Sequence, residues 1–187
     1  MKLFLVVIFF TQLICNSLFA NTESIDLSFT QDNAKYWQYI SDRTMGGISD
    51  GGASLEQDGD MFFARLTGNV STENNGGFIQ IRTNLSFTDF EQKSEKLKGI
   101  RLNVRGNGET YHIFIRTTET RSYRDYYSTT FKATYKWTMI ELPFNEFIHR
   151  VSNNSDLEGK NIATLGIVAY GRNFESDVSV SNIIFYY

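Results

Sequence analysis

Short runs rich in β-branched and aromatic residues recur along the chain after residue 50. In several of them alternate residues are apolar, as at Tyr111, Ile113 and Ile115, and this spacing puts those side chains on one face of a strand. The predicted strands are Met61–Val70, Gly77–Leu85, Gly99–Arg105, Thr110–Thr118, Tyr127–Ala133, Trp137–Leu142, Ile162–Tyr170 and Val178–Tyr186. Many short strands with few helix signals predict an all-β fold, an antiparallel β-sandwich of the jelly-roll type.

Turn and helix signals are confined to a few segments between these runs. Asp58-Gly59 and Arg105–Glu109 predict hairpin turns, because Gly and Asx residues tolerate positive φ. Phe87–Lys98 predicts a short helical segment, and Phe144–Phe147, which follows Pro143, predicts a single helical turn.

The N-terminus has the pattern of a secretory signal peptide. Lys2 is followed by the mostly apolar run Leu3–Leu13, and a small residue, Ala20, stands at the predicted cleavage site. We therefore expect residues 1–20 to be removed and residues 21–187 to form one domain without a transmembrane segment. The predicted location is extracytoplasmic, in the periplasm or the medium.

Composition limits how this domain is stabilised and what it binds. The single cysteine, Cys15, lies in the predicted signal peptide, so the mature domain has no disulfide and its core depends on packing. Sixteen Phe, ten Tyr and two Trp in the whole chain suit that task. The formal net charge of −3 argues against a nucleic-acid partner, which needs a basic surface.

Two glycine-rich segments, Asp42–Ser49 and Glu73–Phe78, predict shaped loops. Their polar side chains can bind a ligand while the glycines let its backbone approach. The candidate binding residues are Asp42, Arg43, Met45, Gly46, Gly47, Asn75, Gly76 and Gly77. The alternative is that both segments serve only to reverse the chain, with Asp42 capping a turn.

A second group of candidates lies in Arg116–Tyr127, where Arg, Tyr and Asp interleave in a predicted strand–turn–strand rim. Aromatic rings stack on sugars and charged neighbours bind hydroxyls, while protein interfaces also favour Tyr and Arg. The candidate binding residues here are Arg82, Arg116, Tyr123 and Tyr126, predicted to form a concave polar surface that also includes Tyr127. The alternative is a solvated hairpin with alternate tyrosines buried.

The sequence offers little for catalysis or metal binding. His112 has no nucleophile elbow and no recognisable third triad member nearby in sequence, and His149 lies at a predicted loop edge, so we interpret both as structural or surface residues. The nucleophile-elbow, zinc-protease and phosphate-loop patterns are absent. Asp50, Asp58 and Asp60 offer oxygen ligands for calcium, but their spacing does not match an EF-hand. We therefore predict no catalytic residue, no cofactor and no metal site.

The glycine-rich segments and several later ones together resemble the complex I intermediate-associated protein 30 family, a family of NADH:ubiquinone oxidoreductase assembly factors. The later segments are Gly99–Gly108, Trp137–Phe147, Ile162–Ile167 and Ile183–Phe185. The family is similar in fold to galactose-binding-like domains, among them carbohydrate-binding modules. The resemblance covers about residues 36–187 and implies the same sandwich as the strand pattern.

The resemblance implies binding or assembly rather than catalysis. The best-known member acts inside mitochondria, whereas this chain has a predicted export signal. We therefore predict a non-catalytic binding domain whose partner is a glycan or a protein surface. The alternatives are a chaperone-like assembly factor for a respiratory or other membrane complex and an enzyme that acts on polysaccharide.

Overall fold

The computed structural model describes residues 24–85 and 96–187. The predicted signal peptide, residues 1–20, and most of the predicted helical segment Phe87–Lys98 lie outside the described residues. Within those ranges the chain forms strands and short 3-10 helices, with no α-helix. None of the described helices has the length and apolarity needed to cross a bilayer.

The described residues form twelve strands. They are β1 (Ser24–Asp26), β2 (Trp37–Ser41), β3 (Asp50–Asp58), β4 (Met61–Val70), β5 (Phe78–Asn84), β6 (Gly99–Gly106), β7 (Thr110–Thr117), β8 (Tyr127–Lys132), β9 (Thr138–Pro143), β10 (Ile148–His149), β11 (Ile162–Tyr170) and β12 (Phe174–Tyr186). Every predicted strand is confirmed, with ends shifted by a few residues. Strands β1, β2, β3 and β10 were not predicted, since they are very short or lack clear alternation.

The strands form two antiparallel sheets. Sheet I has the order β3-β4-β12-β6-β9, and β1 pairs with the end of β12. Sheet II has the order β10-β8-β7-β11-β5-β2. The predicted all-β antiparallel sandwich is therefore confirmed.

The core lies between the inner faces of the two sheets. Leu102 and Val104 of sheet I and Ile79, Ile81 and Ile113 of sheet II are all buried in one cluster. This confirms the alternation predicted for these strands, because each second side chain faces the opposite sheet. The other side of sheet II is left free to carry polar and aromatic side chains.

One predicted turn has a different role. Arg105–Glu109 is not a hairpin, because β6 lies in sheet I and β7 in sheet II. The Gly106 N–H donates to Thr134 O (2.7 Å) and the Gly108 N–H donates to Ala133 O (2.8 Å), so this turn pairs with the β8–β9 connection as it crosses between sheets. The local signal was correct for a turn, but turn residues do not specify which strands pair.

The other two turn predictions are confirmed. Asp58-Gly59 forms the β3–β4 hairpin, where Asp58 pairs with Met61 and Gly59 has a φ of 59°. A 3-10 helix, Phe144–Glu146, follows Pro143.

Candidate functional site

A cleft with a volume of about 1010 Å³ lies over the outer face of sheet II. Side chains of β5, β7 and β11 form much of its floor, and connecting segments form its walls. The lining residues are Ile40, Phe78, Gln80, Arg82, Phe114, Arg116 and Tyr170 from the strands, and Thr44, Met45, Asn75, Gly76, Tyr123, Arg124, Tyr126, Arg150 and Val151 from the connections. The cleft thus combines aromatic, cationic and neutral polar side chains.

Aromatic rings cover part of this face. Phe114 stacks on Tyr126, with ring centroids 4.2 Å apart and planes at 21°, and it meets Tyr170 edge-on at 5.3 Å. His112 meets Tyr170 edge-on at 5.4 Å. Phe114, Tyr126 and Tyr170 pack together with Phe78 in a cluster that is separate from the core. Phe114 and Tyr126 are only 6% and 7% exposed, so the half-buried Phe78 and Tyr170 provide the more accessible aromatic surface of this face.

Burial and a hydrogen bond with Tyr170 raise the pKa of Tyr126 to about 12. Its phenol consequently remains protonated at neutral pH. A protonated phenol can still donate a hydrogen bond, so the aromatic cluster keeps a polar group.

Four arginines line the cleft: Arg82, Arg116, Arg124 and Arg150. Among the residues that the structure describes, the lining contains neither Asp nor Glu, and none of the four arginines forms an ion pair. The site is therefore locally cationic in a chain whose formal net charge is −3.

Arg116 is the most constrained of these cations. Its Nη2 donates to Tyr123 O (3.1 Å), and its guanidinium carbon lies 5.5 Å from the ring centroid of Tyr126. Burial lowers the pKa of Arg116, and the nearby positive charge of Arg82 lowers it further. The two like charges sit on β7 and β5, on either side of β11.

Several polar atoms beneath the cleft have no hydrogen-bond partner. Among the described residues, five buried side-chain polar atoms lack one, and three of these are Gln80 Oε1, Arg116 Nη1 and Thr164 Oγ1 on the outer face of sheet II. A Cβ at Gly166 would lie 3.1 Å from Gln80 Oε1, so the glycine leaves room for this amide over β11. Unsatisfied buried groups are uncommon in folded proteins, and three on one face mark it as unusual.

The two glycine-rich loops meet at Asp42, which is fully buried. Its carboxylate accepts hydrogen bonds from Ser49 N (2.9 Å) and Ser49 Oγ (2.5 Å), and also from the backbone N–H of Gly77 (2.6 Å) and Phe78 (3.1 Å). Burial by itself would raise the pKa of Asp42, but these donors outweigh it and hold the pKa below its ordinary value. Asp42 thus joins two walls of the cleft.

Glycines in the two loops allow this close packing. A Cβ at Gly47 would lie 2.4 Å from the Asp42 carboxyl carbon, and a Cβ at Gly76 would lie 2.5 Å from its Oδ2. The glycines therefore fit around the carboxylate, which places Met45 and Asn75 at the cleft.

Seven of the predicted binding residues line one cleft: Met45, Asn75, Gly76, Arg82, Arg116, Tyr123 and Tyr126. Asp42 is buried behind the wall, and Gly46, Gly47 and Gly77 shape the loops without lining the cleft. Arg43 instead pairs with Asp50 (3.4 Å) and donates from Nε to Ser49 O (3.0 Å). Whether any of these residues contacts a ligand stays a prediction.

Tyr127 was predicted on the same surface, and this is wrong. It is buried in the core cluster, and its hydroxyl donates to Asp156 Oδ1 (2.7 Å). Tyr126 and Tyr127 are neighbours on an extended chain, so their side chains point to opposite faces.

Several lining residues were not predicted from the sequence, chiefly Phe78, Gln80, Phe114, Arg150 and Tyr170. A signal for three of them was present. Phe78 and Gln80 share the alternation of Arg82 on β5, and Phe114 shares that of Arg116 on β7. Arg150 and Tyr170 become neighbours of these residues only through the pairing of distant strands.

The structure also connects His149 to Asp125 and Ser152. His149 Nε2 lies 2.7 Å from Asp125 Oδ1, and Nδ1 lies 2.6 Å from Ser152 Oγ. The Ser152 N–H also donates to Nδ1 (3.2 Å), and Ser152 Oγ lies 2.5 Å from Asn154 Oδ1. The serine is therefore held within the turn that follows His149, and we interpret these contacts as a clasp between two loops.

In the described ranges, no group of three or more His, Cys, Asp or Glu residues is placed to hold a metal ion. Asp50 and Asp58 lie at opposite ends of β3, so the aspartates considered for calcium do not form one site.

Several solved structures with the same fold are carbohydrate-binding modules. The family 11 module of the cellulase Lic26A-Cel5E of Clostridium thermocellum is 16% identical, with a TM-score of 0.69 over 88% of this chain and 95% of that chain. The family 11 module from that organism in complex with a β-1,3-1,4-mixed-linked tetrasaccharide is 16% identical, with a TM-score of 0.67 over 87% and 95%. A family 30 carbohydrate-binding module is 14% identical, with a TM-score of 0.56 over 79% and 80%.

These likenesses place the sandwich among galactose-binding-like folds, as the sequence predicted. Among curated proteins, none matches the sequence significantly. The sequence model of the family described as Complex I intermediate-associated protein 30 (CIA30) matches residues 27–178, and the chain belongs to that family.

Proposed function

We propose that this protein is a non-catalytic polysaccharide-binding domain and that the glycan lies in the cleft of sheet II. The observation that carries the proposal is the composition of the cleft, in which a ring cluster around Phe114 adjoins arginines and neutral polar groups. Sugar rings present apolar C–H faces that stack on aromatic rings, and their hydroxyls need hydrogen-bonding partners at the edge. This cleft supplies both.

The solved module with a bound tetrasaccharide supports the same proposal, since it has this fold. The seven predicted residues that line the cleft are the proposed contacts. We also propose that the chain is cleaved near Ala20 and that residues 21–187 are exported as one domain. Outside the cytoplasm this domain would meet extracellular or cell-wall glycans. Cleavage and export stay predictions, because residues 1–20 lie outside the described residues.

The absence of acids from the cleft lining favours binding over hydrolysis. Most glycosidases act with a pair of carboxyl groups that flank the scissile bond. The described residues that line this cleft include no Asp or Glu. An enzyme that acts on polysaccharide is thus the weaker candidate.

A protein partner is the second candidate, and it includes the assembly-factor role that the family description suggests. Met45, Tyr123 and Val151 line the cleft and are 52%, 62% and 68% exposed. Exposed apolar side chains around one cleft are also a feature of protein-binding sites.

The test compares two exposed tyrosines. Tyr123 lines the cleft, whereas Tyr135 is 77% exposed and does not line it. On a panel of polysaccharides measured by affinity electrophoresis, Tyr123→Ala should weaken binding about tenfold and Tyr135→Ala should leave it unchanged. Equal effects of the two substitutions would contradict the proposed site. Failure to bind any polysaccharide, with recovery of one protein partner that Tyr123→Ala abolishes, would favour the second candidate.

A further inference from the structure

The charge of the cleft is opposite to that of the chain. The whole chain has 21 acidic and 18 basic residues, yet the described residues that line the cleft include four arginines and no acid. Asp125, which follows Arg124 in sequence, is already engaged: its Oδ1 lies 2.7 Å from His149 Nε2, and its Oδ2 accepts from Arg121 N (3.0 Å). The four arginines therefore form no ion pair with a described carboxylate, and the charge of Asp125 offsets that of Arg116 only in part.

Keeping these charges together is unfavourable in the empty cleft. Arg82 and Arg116 lie on β5 and β7, the two neighbours of β11, and the positive charge of Arg82 lowers the pKa of the partly desolvated Arg116. Bringing like charges together in a partly buried place costs free energy, and a bound anion would relieve that cost. Guanidinium groups bind planar carboxylates and sulfate-type oxyanions through paired N–H donors.

We propose that the polysaccharide bound in this cleft is anionic and that Arg82 and Arg116 bind its acidic groups, which are carboxylates of uronic acids or sulfate esters. This inference rests on the proposed function, because it names the class of glycan for the same cleft. Arg116 Nη1 has no partner and is available once the side chain adjusts. The ring cluster around Phe114 would then hold the sugar ring that bears the charge.

The first experiment uses the wild-type chain and matched probes. Polygalacturonate is compared with the same polymer after its carboxyl groups are reduced to alcohols, and dextran sulfate is compared with dextran. We expect the charged member of at least one pair to bind about tenfold more tightly than its neutral partner. We also expect this advantage to shrink in about 0.5 M NaCl, because the Debye length is then only a few ångströms and the attraction between opposite charges is screened. The pair that discriminates identifies carboxylate or sulfate as the source.

The second experiment removes the charges. Arg82→Gln with Arg116→Gln should abolish the preference for the charged probe. Lys132→Gln with Lys136→Gln removes the same charge from exposed positions that do not line the cleft, and should preserve the preference.

The outcomes separate this inference from the proposed function. Equal binding of charged and neutral probes, lost in Tyr123→Ala, would overturn the anionic class and leave polysaccharide binding intact. No binding of any polysaccharide would overturn both. If Lys132→Gln with Lys136→Gln lost the preference for the charged probe equally, the preference would depend on net charge alone. That result would overturn the assignment to the cleft. Tighter binding of an oligothymidylate would replace the glycan with single-stranded nucleic acid, which also uses arginine and aromatic stacking.

Discussion

The arginine side chains on the outer faces of the two sheets differ in their ion-pair partners. On sheet I, Arg65 forms a two-point contact with Asp177, in which Nε–Oδ1 and Nη2–Oδ2 are both 2.8 Å, and Arg101 bonds Glu141 (2.7 Å). On sheet II, Arg82 and Arg116 have no such carboxylate among the described residues. The carboxylates of the protein itself therefore bind Arg65 and Arg101 on sheet I, whereas Arg82 and Arg116 on sheet II remain able to bind an anionic ligand.

Aromatic residues show a similar contrast. On sheet I, the guanidinium of Arg105 lies 4.6 Å from the ring centroid of Trp137 and 5.3 Å from that of Phe63, so the cation occupies the aromatic surface. On sheet II, the ring cluster around Phe114 borders an open cleft. Arg116 also lies 5.5 Å from the ring centroid of Tyr126, so the two faces differ in the cleft that adjoins the rings of sheet II and not in the cation–ring contact itself.

The largest effect on the free energy of unfolding is expected at Asp42, whose carboxylate joins two walls of the cleft. Asp42→Asn keeps the volume but presents an amide donor to backbone N–H groups of the two loops, including that of Gly77. We expect the free energy of unfolding at pH 7 to fall by about 3 kcal/mol, since buried donors lose a charged acceptor. Urea denaturation measures this, and Asp32→Asn at an exposed position is the control.

The effect of Asp42→Asn should depend on pH. The hydrogen bonds lower the folded pKa of Asp42 below the unfolded value of 3.8. Its contribution is therefore complete above the unfolded pKa and disappears as the pH falls through the folded pKa. The difference between wild type and Asp42→Asn should shrink in acid. A difference that stays constant with pH would mean that the carboxylate charge is not what joins the loops.

Much of the fold could be predicted from the sequence because alternation is a local property. Tyr111, Ile113 and Ile115 indicate an inner face wherever β7 lies in the sheet. Arg82 and Arg116 could be assigned to strands in the same way. Which strands pair could not be predicted, as Arg105–Glu109 shows, because pairing depends on contacts between distant parts of the chain.

The candidate site was predictable only in part for the same reason. The glycine-rich loops were visible, but their meeting at Asp42 joins backbone groups 35 and 36 residues away. The cationic character of the cleft was not evident from the acidic composition, since Arg82 and Arg150 line one cleft only after folding. Tyr127 was predicted on the same surface as Tyr126, but its side chain points to the opposite face and is buried in the core.

A smaller effect is expected on sheet I, where Asp177→Asn removes the partner of Arg65. Both side chains are more than a third exposed, at 38% and 40%, so solvent screens the pair. We expect a loss of about 1 kcal/mol in the free energy of unfolding, and less in about 1 M NaCl. Glu175→Gln on the same strand, outside any ion pair of the described residues, is the control. An equal loss in both variants would show that the ion pairs of sheet I do not stabilise it.

The smallest effect is expected at Arg116, and it tests the comparison most directly. Arg116→Gln removes a bond to Tyr123 O but also removes a partly desolvated charge beside Arg82. Because these terms oppose each other, the free energy of unfolding should stay within about 0.5 kcal/mol of wild type. Arg65→Gln, measured by the same urea titration, should lose about 1 kcal/mol because its carboxylate partner is left alone. If Arg116→Gln is the more destabilising of the two, Arg116 is a structural cation and the cleft does not hold its charge for a ligand.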